Sequence, residues 1–443
     1  MKLLENFYNV YFNNKILHIK DYEKSRKLFI YEGCAAMGIL SITSGAFLAG
    51  LAQHLGASDE LNGIIGAIPF LVAVFQIYAS LVFEKLERRK FLVSILCFCF
   101  RFLLGLMFLI PFLISNSNYR IIMLIVFCGT AYIIAAFTYP PVNTWMVDLT
   151  PENIRGKYFA QKDSYSLAFV TIATLVLGKI LDNYRGNNSI DTGYGIVAVV
   201  VIILTITNFI FLSSIEEPMV KKMEIEIKLK DVIIIPLKNK DFRKIIILFI
   251  LWSIAFQIAG PFFSVYMVTR LKLTYTYIMF MGVITSAVRV ISVVYWGRFG
   301  DKRSWVSCTK YSICALALCN GLWTFVDVNS MLILVPLLHI IGGIAWAGIN
   351  ISLFNIQFLF SPRSGRTMYL AVNAAISGIL GFISTIVGAV LLNLLQSLKF
   401  NLFMFSIGNI QILFAISSIL LLLCASYVNI FIKDNNMNSE KNM

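Results

Sequence analysis

Thr150–Ala160 reads TPENIRGKYFA, and Ser361–Ala371 reads SPRSGRTMYLA. The two align without a gap, pairing Pro151 with Pro362, Arg155 with Arg366, Tyr158 with Tyr369 and Ala160 with Ala371, every pair 211 residues apart. A second pair of loops keeps nearly the same spacing. FEKLERRKF (Phe83–Phe91) corresponds to GRFGDKRSW (Gly297–Trp305), with Glu84 facing Asp301. Two matches in register are the mark of a duplicated unit.

Outward from these loops the chain is a series of apolar stretches, each of about 19 to 25 residues and long enough to cross a hydrocarbon core. They run Leu28–Ala52, Gly63–Phe83, Phe91–Ile114, Ile121–Thr144, Ser166–Tyr184 and Gly195–Ile215, then, after a polar segment, Ile245–Val268, Ile278–Trp296, Val306–Val326, Met331–Ser352, Thr367–Leu392 and Leu402–Ile430. The expected fold is an all-α integral membrane protein: twelve transmembrane helices in two pseudo-symmetric six-helix bundles. Its parts are a cytoplasmic N-terminal segment (1–27), the first bundle (28–215), a central cytoplasmic loop (216–244), the second bundle (245–430) and a cytoplasmic tail (431–443).

Composition agrees. Hydrophobic residues make up 58% of the 443 positions, charged residues only 14%, and mean hydropathy is +0.80. A soluble domain carries nearly twice that charged share. The net charge of +14 does not point to nucleic acid, because the basic residues sit in short loops between apolar runs. With both termini inside, cytoplasmic segments hold about 28 of the 37 Lys and Arg, and outer loops hold Arg120, Arg185, Arg270, Lys272 and Lys399. Eight cysteines and three histidines show no metal-binding or disulfide spacing. The N-terminus has no signal-peptide pattern; a short amphipathic helix over Phe7–Leu17 is the reading there.

These features together resemble the major facilitator superfamily, whose signature is a G-x-x-x-D-[RK]-x-G-[RK]-[RK] loop after the second span, often echoed after the eighth. The echo is the better copy here, with Gly297, Asp301 and Lys302 matching its start. In the first copy Ser80, Glu84 and Glu87 stand for the glycine, the aspartate and the second glycine, Lys85 stands for the basic residue, and Arg88 and Arg89 match the final basic pair. Pro151, Glu152 and Arg155 look like the P-E-x-x-R loop that follows the fourth span in many facilitators. Independently of the family, clustered bases with one carboxylate can form ion pairs and cap helix ends at the cytoplasmic face. A cytoplasmic gate is accordingly expected from Glu84, Arg88, Arg89, Asp148, Glu152, Arg155, Asp301, Lys302 and Arg366. The alternative is that the bases only set topology.

The resemblance implies that spans 1, 4, 7 and 10 line a transport path. Helical spacing gives each a polar or small stripe. Span 7 offers Ser253, Gln257, Gly260 and Ser264; span 10 His339, Gly343, Trp346 and Asn350; span 4 Tyr132, Ala136, Tyr139 and Asn143; span 1 Ser41 and Ser44. Helix packing is the competing reading of every stripe. Pro261 and Pro140-Pro141 are expected to kink spans 7 and 4. Charges inside spans each cost on the order of 3 kcal/mol by insertion scales. Arg289 is a candidate for an anionic substrate group or a carboxylate partner, Arg101 for a structural pair, and Glu32 for a coupling proton or a pair with loop arginines.

The function expected from the resemblance is secondary active transport of a small organic solute by alternating access, in the plasma membrane. Alternatives are a drug/proton efflux antiporter, though the arginine in span 4 and glycine-proline in span 5 that mark that group are missing, and a non-transporting sensor or scaffold. No enzyme motif, nucleotide loop or pair of deep carboxylates occurs. The expected partners are a small-molecule substrate, a coupling proton or other ion, and the lipid bilayer. No cofactor, metal or nucleic acid is expected, and the chain is expected to be a monomer.

Overall fold

The computed structural model describes Tyr11 and residues 17–83, 86, 88–218, 229–362, 366–402 and 405–432. The expected amphipathic helix at 7–17, apart from Tyr11 and Leu17, most of the central loop's first half and the tail beyond 432 lie outside the described residues. In chain order the helices are α1 (Ile19–Ile42), α2 (Gly45–His54), α3 (Asp59–Val72), α4 (Phe75–Phe83), α5 (Lys90–Leu106), α6 (Ile110–Leu113), α7 (Ser117–Asp148), α8 (Glu152–Gly186) and α9 (Ile190–Ser214). They continue with α10 (Leu229–Lys238), α11 (Lys240–Gln257), α12 (Phe262–Val265), α13 (Tyr275–Lys302), α14 (Trp305–Trp323), α15 (Met331–Phe360), α16 (Arg366–Leu394) and α17 (Asn409–Phe431).

Among the described residues nine helical segments are long and apolar enough to cross a membrane, or ten when α1 and α2 count as one bent span. The two remaining expected spans are helical but fall short for visible reasons. Gly63–Phe83 is broken at Ala73–Val74 into α3 and α4. The ninth, α14, has 19 residues and carries Ser307, Thr309, Lys310, Ser312 and Asn320. The bend between α1 and α2 is 41°. Thr43 and Ser44 donate their hydroxyls back to Ile39 O (2.8 Å) and Leu40 O (2.7 Å), a pattern that bends helices. Gly45 then takes φ +56°, a conformation costly for any side chain.

The chain divides into two compact units. Unit 1 comprises residues 1–57, 72–226 and 274–276; unit 2 comprises 58–71, 227–273 and 277–443. This departs from the expected bundles at two places. All of α3 but its last residue belongs to unit 2, where Asp59 accepts a hydrogen bond from Arg270 Nε at 2.8 Å, with Nη2 of the same guanidinium also 2.8 Å away, and Gly63 leaves room for the Phe262 ring. Residues 274–276 belong to unit 1, where Asp182 accepts from the Tyr275 and Thr276 N–H groups at 2.7 and 2.8 Å.

The duplication is visible in how each unit packs. In unit 1, α1 packs on α8 and α9, and α5 on α7 and α9; in unit 2, α11 packs on α16 and α17, and α14 on α15 and α17. The matched tyrosines do the same work twice. Tyr158 on α8 donates to Arg26 O of α1 at 2.9 Å, and Tyr369 on α16 meets the Phe242 ring of α11 edge-on at 4.9 Å. Each tyrosine ties the start of its helix to another helix of the same unit, α1 in unit 1 and α11 in unit 2.

Local chemistry sets the helix ends. Asn239 caps α11 through Asp241 and Phe242 N–H, and Ser304 caps α14 through Val306 and Ser307 N–H. The seventh span breaks at Pro261, as expected, between α11 and α12, and closes in a π-turn over Tyr266–Arg270. Pro140 and Pro141, by contrast, sit inside the continuous helix α7. The last span also starts later than expected. Phe400–Leu402 and Phe405–Ile407 pair as a small antiparallel hairpin, so the fold is not purely helical, and α17 begins at Asn409.

Asp327 holds this end of unit 2 together. Its carboxylate accepts from Asn329 N–H (3.0 Å), Ser330 N–H and hydroxyl (both 2.9 Å) and Ser406 N–H (3.2 Å). Burial opposes its charge, but these hydrogen bonds outweigh it and hold the carboxyl below the usual aspartate range. Its stabilising effect is therefore present at neutral pH and lost as pH falls through that lowered value. Asp327→Ala should cost about 1–3 kcal/mol at neutral pH, and the gap between variant and wild-type unfolding midpoints should close in strong acid.

Candidate functional site

Three polar groupings stand out. The first lies at the basic-loop end of unit 1. Arg89, just before α5, pairs with Asp148 at the end of α7. Its Nε is 3.4 Å from Glu217 Oε1. The Glu217 carboxylate also accepts from the Arg89 N–H (2.9 Å) and the Lys90 N–H (3.1 Å), and so caps α5 at its positive end. Beside it, Trp145 Nε1 donates to Glu216 O at 3.0 Å, and Arg26 donates to Leu149 O at 3.1 Å. The structure thus brings Arg89 and Asp148 together from the expected gate. The carboxylate at the centre, Glu217, was hidden from sequence reasoning among the mixed charges of the central loop.

The rest of the expected gate is less assembled. Arg155 donates to Thr150 O at 3.3 Å within its own loop, and Arg88 is half-buried next to Arg89. Asp301 and Lys302 are exposed in the last turn of α13, and Asp301 has no ion pair among the described residues. Glu84 lies outside the described residues, as do the side chains of Glu152 and Arg366.

The second grouping is a buried triad. Arg101 of α5 donates to Glu32 Oε1 of α1 at 3.2 Å and to Asn208 Oδ1 of α9. Asn208 Nδ2 donates to Glu32 Oε1 and to Glu32 O, both at 3.1 Å. All three residues are buried. Glu32 therefore meets a cation from inside the bundle, not a loop arginine. Each charge has its opposite within hydrogen-bond reach, which offsets the cost of placing it in a span. Asn208 was the overlooked member; a lone Asn inside an otherwise apolar span was the available signal.

The third is a cavity of about 360 Å³ in unit 2. Its walls are mostly aromatic: Phe256, Phe263, Trp323 and Trp346. Its polar groups are His339, Thr285, Asn320 and the Cys319 thiol. His339 is oriented by a 2.8 Å contact from Nδ1 to Val335 O, and its ring meets Trp323 edge-on at 5.9 Å. Thr285 donates to His339 O at 3.2 Å. Trp346 stands edge-on to both Trp252 and Phe256, which stack on each other 5.7 Å apart. Gly343 lets α15 approach α13, since a Cβ there would lie 2.8 Å from Thr285 O.

Of the path candidates, His339 and Trp346 line this cavity. Gln257 does not: it is buried, and its side chain packs against Gly260 and against Gly381 of α16. The reason is register, because the chain turns at Ile258–Pro261 and brings Gly260, not Gln257, to the cavity. Asn143 and Asn350 are exposed, Tyr132 is buried, and Tyr139 lies 6.5 Å from the Phe100 ring. Arg289 is half-buried on α13 with no ion pair among the described residues.

The sequence profile of the Major Facilitator Superfamily matches residues 29–385, and the chain belongs to that family. It is a multi-pass membrane transporter. No curated protein sequence matches it. Among solved structures it is similar to a point mutant of the nucleoside transporter NupG, at 15% identity and TM-score 0.68 over 93% of this chain and 100% of the other. It is likewise similar to a bacterial homologue of the iron transporter ferroportin, at 10% identity and TM-score 0.66 over 94% and 99%. A D-xylose-proton symporter matches at 13% identity and TM-score 0.61 over 93% and 97%. At these identities the likeness is one of fold.

Two outcomes follow from the polar groupings. Arg101→Leu leaves Glu32 buried without its cation and should cost about 3–5 kcal/mol; adding Glu32→Gln should recover most of the lost thermal midpoint. A single and a double variant of equal stability would remove the pairing account. For Glu217, burial pushes the carboxyl above the usual glutamate range, despite the hydrogen bonds from Arg89 and Lys90. Its ionisation is thus disfavoured in the fold, and its contribution to stability is lost as pH rises through the raised value. Glu217→Gln removes that titration, so the variant's midpoint minus wild type's should increase as pH rises through the raised value.

Proposed function

We propose that the protein carries a compact, uncharged organic solute with a planar apolar body, bound in the His339 cavity of unit 2, by alternating access. The observation that carries this reading is the composition of the cavity wall. Four aromatic rings surround it, and no Asp, Glu, Lys or Arg is among its lining residues. A charged solute desolvated there would find no opposite charge, whereas a ring can stack on or pack edge-on to Trp346 and Phe256. His339, Asn320 and Thr285 supply the few directional hydrogen bonds that set orientation in such sites. The volume lies near the small end of ligand pockets.

The Arg89–Asp148–Glu217 cluster supports a gating role for the basic loops of unit 1. The density of Lys and Arg in those loops supports a cytoplasmic location for them and for both termini, in the cell membrane. Coupling to a proton would use His339, the one basic side chain among the cavity's lining residues.

A thermal-shift screen of neutral aromatic solutes against the detergent-solubilised protein tests the reading, because a ligand stabilises the folded state by mass action. Hits should shift wild type, and in proteoliposomes His339→Ala and Trp346→Ala should each raise the KM for those hits about tenfold or more, as loss of one good contact does. Gln257→Ala should leave KM within about twofold. Hits confined to charged solutes, or a KM indifferent to both cavity variants, would rule the site out.

A further inference from the structure

A second and larger recess, of about 730 Å³, lies on unit 2 away from the His339 cavity. It is an open groove between α13 and α14, floored by Ile344 of α15. Along α13 it is walled by Tyr295, Trp296 and Phe299, and across it by Tyr311 of α14. Three of these rings, Trp296, Phe299 and Tyr311, are braced by contacts. Trp296 Nε1 donates to Ile344 O at 2.9 Å, and its indole occupies the space left by Gly348, where a Cβ would come within 2.7 Å. Phe299 meets Trp296 and Tyr311 edge-on at 6.0 and 5.9 Å.

The groove differs in character from end to end. Towards the middle of α13 it is continued by Val290, Ile291 and Val294, each more than half exposed, as side chains facing acyl chains are. At the other end Arg303 lines it together with Ser307. Arg298 and Lys302 are exposed three and seven residues after Tyr295, on the same helix face. Lys310 lies 4.4 Å from the Tyr311 ring centroid and donates to Asn429 at 3.2 Å. Asp301 is the one carboxylate on this stretch, and no carboxylate lies within 4 Å of the Arg303 guanidinium among the described residues. The local balance is positive.

We propose that this groove is a binding site for an anionic glycerophospholipid. Its acyl chains would lie along the aromatic and aliphatic walls, its phosphate would sit against the Arg303 guanidinium with the Ser307 hydroxyl as a further donor, and Tyr295 would stand at headgroup depth. Three independent features converge on that occupant. An apolar trough open to the bilayer fits chains; tyrosine and tryptophan rings favour the interface; and an uncompensated guanidinium beside two further bases selects a phosphodiester carrying no balancing cation. A zwitterionic lipid brings its own ammonium to the same place and loses that selection. A soluble anion has no use for the trough.

Trp296 makes the proposal measurable. The full chain is reconstituted in vesicles of phosphatidylcholine with a fixed fraction of chain-brominated phosphatidylglycerol or, separately, chain-brominated phosphatidylcholine, and tryptophan quenching is recorded for wild type and Trp296→Phe to isolate the groove's signal. Brominated phosphatidylglycerol should occupy the groove about fivefold more than brominated phosphatidylcholine, the preference one basic residue near the surface confers. Arg303→Gln should abolish the preference and Arg303→Lys should retain most of it. Excess inorganic phosphate should leave it unchanged. Equal quenching of Trp296 by the two lipids, or a preference that survives Arg303→Gln, overturns the proposal; competition by inorganic phosphate reassigns the site to a free anion and overturns it as well. Since Arg303 is exposed, an unchanged thermal midpoint in Arg303→Gln separates loss of lipid from loss of fold.

Discussion

A peptide group carried into hydrocarbon without a hydrogen-bond partner costs several kcal/mol, and a charge costs more unless it is paired. Nearly every feature of this chain answers those two costs. The backbone meets the first by remaining helical wherever the sequence is apolar. Where helices stop, at Asn239, Ser304 or the Asp327 knot, a side chain takes over the released N–H groups. The second is met by Glu32, Arg101 and Asn208, whose hydrogen bonds tie three helices that already pack together. Most other charges stand at the ends of spans, where water and headgroups can reach them; Arg289, half-buried midway along α13 without an ion pair among the described residues, is the exception.

Within that constraint the duplicated unit explains the architecture. Corresponding pairs of helices pack in both halves, and the matched tyrosines Tyr158 and Tyr369 meet α1 and α11, the helices that begin the first and seventh spans. The halves have nonetheless diverged in what they enclose. Unit 1 spends its buried polarity on the ion triad. Unit 2 has no comparable buried charge cluster among the described residues and instead holds a cavity faced by aromatic rings, with a histidine braced by Val335 and Trp323. A stabilising element in one half and a ligand-sized space in the other is a division of labour that pseudo-symmetry alone would not suggest.

Unit 2 also shows how similar residues reach different environments. Trp346 and Trp296 sit on neighbouring helices, yet one faces an internal cavity and the other a groove opening outward. What differs is the surrounding charge. The cavity is free of ionised side chains, while the groove ends in arginine. The first environment suits a neutral solute and the second an anionic headgroup, so the two proposed ligands do not compete.

Sequence alone determined the class. Apolar runs of spanning length, basic loops and two loop pairs in register are one-dimensional signals, because span length, charge bias and duplication are all written along the chain. It also marked Pro261 as a break, and His339 and Trp346 as neighbours on one helix face. Tertiary structure decided the partners. Glu32 meets Arg101 across 69 positions and Asn208 across 176, and Arg89 meets Glu217 across 128. No local pattern encodes such distances, since they depend on which helix faces lie together. The same holds for Gln257, whose spacing put it on the face shared with Gly260 until the turn at Ile258–Pro261 rotated that register away. The aligned loops from which the fold was read, TPENIRGKYFA and SPRSGRTMYLA, were legible because they repeat; the site was not, because its residues meet only once the helices have packed.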